Sequence, residues 1–140
     1  MCAANAQLQS PATGQAKITE TDHFTTSGRC ALCHSSAAGA TALRDGQRRS
    51  VAPSDLWPTS MMAHASVDPF WRAVVAAEVA ATPSRKTEIE AKCLRCHAPM
   101  ALIEAQVAGT APSREQFLHG TSTLARLAAD GVSCTVCHQI

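Results

Sequence analysis

Six of the seven cysteines fall in three copies of one pattern: Cys30-Ala-Leu-Cys33-His34, Cys93-Leu-Arg-Cys96-His97 and Cys134-Thr-Val-Cys137-His138. At this composition about 0.015 such pentads would arise by chance, so three copies carry information. Two thiols three positions apart lie on one helical turn, where each can bond one vinyl-derived carbon of a single porphyrin. The histidine that follows swings under the ring and gives a nitrogen to the iron. Cys-x-x-Cys-His is the attachment signal of c-type haem, and three copies predict three haem c groups with His34, His97 and His138 as proximal ligands. Zinc explains less. Three pairs do not divide evenly into four-cysteine sites, and zinc gives no reason for a histidine after every pair. A thioredoxin-like redox pair would normally occur once.

The chain has six histidines. Three belong to the motifs, which leaves His23, His64 and His119. Three haems with one motif histidine each need three sixth ligands for bis-His coordination, so these three are the distal candidates. Methionine competes for that role and raises the potential. Met61 and Met62 stand just before His64 and are the alternatives to it. Met100 follows His97 by three residues and so starts on the proximal side of its own haem, from which it could reach a neighbour's; the alternative for all three methionines is flexible gap-filling against porphyrin.

The elements that must position these groups are short. Residues 68–81 give the clearest helix, with Asp68 as cap and Pro69 in the first turn. Phe70, Val74 and Ala77 share one face of it, with Trp71 and Val75 on the flank. Thr82-Pro83 ends it, and a second helix runs from about Ser84 into the second motif. Pro99 bends the exit. Ser113 with Gln116 suits a capping box for a short helix ending near Gly120. Thr121 or Ser122 caps another that stops at Asp130-Gly131. Residues 37–56 read as a loop, whose Arg44, Arg48 and Arg49 either meet haem carboxylates or are simply solvated. No segment alternates as a strand. The expected fold is mainly α with extensive loop and little or no sheet, organised around covalently attached haems.

Composition agrees. The 140 residues include three Phe, two Trp and no Tyr, and alanine inflates the apolar fraction. Large side chains are scarce, so a conventional core would be thin, and the cofactors are expected to fill the middle. Twelve basic against eleven acidic side chains leave +1, which gives no basic face for nucleic acid. No run of 18 apolar residues exists, so no transmembrane segment is expected. Residues 1–22 read as a flexible lead, either the remnant of an export signal ending at Ala4-Asn5-Ala6 or a lipoprotein tether anchored at Cys2. Residues 23–140 are then one triple-haem domain.

Several phrases carry a resemblance. Trp57-Pro58-Thr59-Ser60-Met61-Met62-Ala63-His64-Ala65, Asp68-Pro69-Phe70-Trp71-Arg72-Ala73, Cys93-Leu94-Arg95-Cys96-His97-Ala98-Pro99-Met100 and Asp130-Gly131-Val132-Ser133-Cys134-Thr135-Val136-Cys137-His138 resemble bacterial multihaem c-type cytochromes, both tetrahaem electron-transfer proteins and longer multihaem relatives. The resemblance covers about residues 23–140. It implies helices holding haems in contact, with electron transfer as the activity and redox proteins as partners. In that family the position of His64 is often another polar residue such as Asn, which keeps Met61, Met62 or an open iron in play. Relatives often continue past the third phrase, so the chain reads as the front part of a longer protein or one unit of an assembly. Two rival functions follow: a multihaem reductase or oxidase of a small nitrogen or sulfur compound with one open haem, and a subunit of an extracellular cytochrome filament. Haem c attachment takes place outside the bacterial cytoplasm, which implies a periplasmic or cell-surface location.

Overall fold

The computed structural model describes residues 17–138. Ala4-Asn5-Ala6 and Cys2 lie outside the described residues. Among the described residues eight α-helices succeed one another: α1 (Ser27–His34), α2 (Pro53–Leu56), α3 (Pro69–Ala81), α4 (Lys86–His97), α5 (Pro99–Val107), α6 (Arg114–Leu118), α7 (Thr123–Ala129) and α8 (Cys134–Cys137). Among the described residues there is no sheet, only the isolated bridges Glu20↔Thr25 and Arg44↔Ser50. The mainly α architecture read from the sequence is therefore the observed one.

Local chemistry explains most helix starts. Asp68 caps α3, its Oδ1 accepting from Phe70 N at 2.9 Å, and Pro69 follows where a missing N–H costs nothing. Ser113 accepts from Gln116 N at 3.5 Å and starts α6. Ser122, rather than Thr121, caps α7, accepting from Ala125 N at 3.1 Å. Pro99 does more than bend the exit of α4. It opens α5, a nine-residue helix that the sequence reading did not separate. The end of the expected loop, residues 53–56, is helical as α2, and a short 3-10 turn, Trp57–Thr59, follows it.

A side-chain core does exist. Phe24, Trp71, Val75, Leu94, Met100, Leu102, Phe117 and Leu127 are buried together with Ala98, Ala101, Ala105 and Ala128. Here the alanines are what let short helices approach closely, so α5 packs on α7, α6 on α7, and α3 on α4. Two expectations need correcting. The buried stripe of α3 is Trp71 and Val75, while Phe70 is 76% exposed and Val74 is also exposed. One step around the helix separates the two faces, and the larger indole takes the interior. Residues 17–22 also do more than lead in: Thr19 is buried, its N–H donating to Thr26 Oγ at 3.0 Å and its carbonyl accepting from Thr26 N at 3.0 Å.

Candidate functional site

The three motifs ride on α1, the last turns of α4, and α8. Helical geometry puts each cysteine pair on one turn. In all three the first cysteine (Cys30, Cys93, Cys134) is partly buried and the second (Cys33, Cys96, Cys137) is exposed, and all six thiols are free. Burial, reinforced by the charges of Glu78, Cys96 and Glu90, pushes the Cys93 thiol up.

Motifs one and three meet. Burial pushes the Cys134 thiol up, and the neighbouring Cys30 sulfur pushes it further. The contact is braced on both sides. The α1 N-cap residue, Thr26, gives no side-chain cap. Instead Asp130, just ahead of the third motif, accepts from Ser27 N at 2.7 Å and from Ser27 Oγ at 2.6 Å. A carboxylate there meets both the orphan N–H and the positive end of the helix. Thr135, inside the third motif, donates to Thr25 O at 2.8 Å. It also touches Met100 Sδ at 3.4 Å, and Met100 is fully buried.

The chain turns into motif three at Gly131, whose φ is +63°. A Cβ there would collide with the Met62 carbonyl oxygen and lie 2.9 Å from Ala63 O. Val132 N donates to the same Met62 carbonyl at 3.0 Å. The backbone of 62–63 is thus the bed on which the third motif's approach lies.

Motif two has a different setting. His97 Nδ1 pairs with Ala65 O at 2.5 Å, which makes Nδ1 the donor and Nε2 the nitrogen available for iron. The Trp71 indole stacks on the imidazole, centroids 4.3 Å apart and planes 9° from parallel. The indole Nε1 is buried with no hydrogen-bond partner, as is Ser66 Oγ on the same segment.

The distal candidates are spread out. His23 Nδ1 lies 3.2 Å from Glu104 Oε1, a carboxylate that also accepts from Thr21 Oγ at 2.5 Å. His64 is exposed in the turn before α3, where its carbonyl accepts from Val67 and Asp68 N–H groups at 3.0 and 2.9 Å. His119 is exposed at the end of α6. Met61 is 80% exposed and Met62 is exposed as well. His34 and His138 are exposed, and His97 is half-buried. Arg44 and Arg49 hold their own loop: Arg44 donates to Arg48 O at 3.1 Å and Ala37 O at 3.2 Å, and Arg49 to Asp45 at 2.7 Å. The sequence reading missed Asp130, Glu104 and Ala65 as supports, because they act over 103, 81 and 32 positions in sequence respectively.

The residues fit haem c. Paired thiols stand on single turns with a histidine beside each pair, and two buried donors near His97 lack an acceptor of the kind that haem carboxylates supply. Among the described residues no three His, Cys, Asp or Glu side chains gather where they would hold a bare metal ion. No described helix is long and apolar enough to cross a membrane.

No curated protein and no solved structure gave a significant match to the chain. The family described as cytochrome c554 and c-prime matches residues 53–139, taking in the second and third motifs and the segment that supports them. With that span exceeding half of the 140 residues, the chain belongs to the cytochrome c554 and c-prime family: it is a c-type cytochrome, a haem-bearing electron-transfer protein.

Proposed function

We propose that this cytochrome carries electrons through three haem c groups, attached at Cys30 and Cys33, Cys93 and Cys96, and Cys134 and Cys137. His34, His97 and His138 are the proximal ligands. His23, His64 and His119 are the distal ones, with Met61 or Met62 as the substitute should His64 fail. When bound, haem c supplies a one-electron iron couple whose potential its ligands and surroundings tune. The chain's own part is attachment and orientation. Residues 23–140 act as one domain, exported before attachment and therefore periplasmic or at the cell surface. Three haem carboxylate pairs turn a polypeptide of +1 into an acidic holoprotein, which suits transient contact with basic patches on redox partners.

The observation that carries this reading is the adjacency of Cys30 and Cys134, braced by Asp130 and Thr135. Two attachment turns held side by side would bring two rings close together. Helices too short to build separate pockets support the same conclusion. Holoprotein from an exporting host with haem-attachment machinery provides the test. Its mass should equal the polypeptide plus three haems, and paramagnetic resonance should show low-spin ferric signals that do not respond to cyanide or nitrite. A colourless product with the mass of bare polypeptide would end the proposal. A high-spin signal that binds those ligands would replace bis-His ligation with an open iron.

A further inference from the structure

We infer that Trp71 is a haem-positioning residue of the second motif: its indole stacks on the proximal imidazole of His97 to fix the ring plane, and its Nε1–H donates to a haem carboxylate. The inference rests on the proposed haem at Cys93 and Cys96. The stack is close and nearly parallel, at 4.3 Å and 9°. The Ala65 carbonyl holds His97 Nδ1 at 2.5 Å. A hydrogen bond at one ring nitrogen and a flat surface along one face leave the imidazole one orientation about its bond to iron, and outer contacts of this kind tune a bound metal.

The second observation is independent of the stack. Trp71 is 6% exposed, yet its Nε1 has no partner. A buried indole N–H usually finds one. Ser66 Oγ, five residues earlier on the segment that carries Ala65, is fully buried and also lacks one. Two buried donors near one proximal histidine call for an acceptor, and an anionic carboxylate is the strongest available. A Trp that only filled the core would have no reason to lie parallel to His97.

Holoprotein with Trp71→Phe, which keeps an aromatic ring and removes the N–H, tests the inference by redox titration. One of the three couples should fall in potential by about tenfold in its equilibrium, or about 59 mV, because the carboxylate is less neutralised and favours ferric iron. The other two should hold. Trp71→Leu should in addition alter the resonance g-values of that same haem, as the imidazole loses its stop. All three couples unmoved in Trp71→Phe, with haems attached and helicity intact, overturns the inference and leaves the proposed function standing. An unmodified Cys93–His97 peptide in the wild-type mass spectrum instead overturns the function, and the inference with it. A measurement that leaves Trp71 in place guards against misfolding. In a Trp57→Phe holoprotein, the ultraviolet Raman band that senses indole hydrogen bonding should report a strongly bonded Trp71, and an unbonded signature refutes the role.

Discussion

At the scale of single residues, His97 and His23 each bond to a group far away along the chain, Ala65 and Glu104 respectively. Cys-x-x-Cys-His names its own partners because they are adjacent. Glu104 beside His23 lies 81 positions away, and nothing local in the sequence links them. That pair leads to an expectation of its own. A carboxylate drawing on Nδ1–H makes the imidazole a stronger donor to iron. On the proposed ligation, His23→Ala should therefore turn one low-spin haem high-spin in paramagnetic resonance. Glu104→Gln should keep that haem low-spin but raise its potential, seen as one shifted step in a redox titration. Trp71 was visible as a large side chain on the flank of a helix. Its alignment with His97 was not, since stacking depends on how α3 meets α4.

At the scale of elements, caps and stops were legible because they are local. Asp68-Pro69, Ser113, Ser122 and Asp130-Gly131 all act where the sequence placed them. The α5 helix was missed because Pro99 reads equally well as a terminator and as a first-turn residue, and because apolar residues fall on more than one side of it. The buried face of α3 was missed by one step, since periodicity gives a stripe but not which edge of it meets the neighbour. Asp130 serves α1 across 103 positions, so Asp130→Ala should cost about 0.5–2 kcal/mol, the range for a lost N-cap, measured as a lower Tm. Gly131 and Gly109 offer a matched pair, with φ of +63° and +66°. Either change to Ala should cost about 1–2 kcal/mol in left-handed strain. Only Gly131→Ala adds a collision with the Met62 carbonyl, whereas Gly109 has nothing within 4 Å. Denaturant unfolding should rank Gly131→Ala as clearly the more damaging.

At the scale of the whole molecule, the expectation of a thin core was half right. Few large side chains are present, but alanines in α5 and α7 let short helices pack around a small side-chain core. The loop over residues 36–55 is held differently, by Asp55. Its carboxylate accepts from Ser36 Oγ and Ser50 Oγ at 2.5 Å each, bonds that hold its carboxyl below the ordinary 3.8. A depressed pKa means a stabilising contribution that is full above the ordinary value and is lost as pH falls through the depressed one. The site is exposed, so the effect is small. Asp55→Asn should lower Tm slightly at neutral pH, and the gap from wild type should close in acid, as calorimetry across pH would register. The links from Ser27 to Asp130 and from Thr25 to Thr135 span 103 and 110 positions. On the proposed export route, a chain threaded outward from its amino end delivers Cys30 and Cys33 long before the residues that will sit beside them. There the first pair of thiols meets the attachment machinery unaccompanied, and the clasp shuts only after Asp130 and Thr135 have emerged.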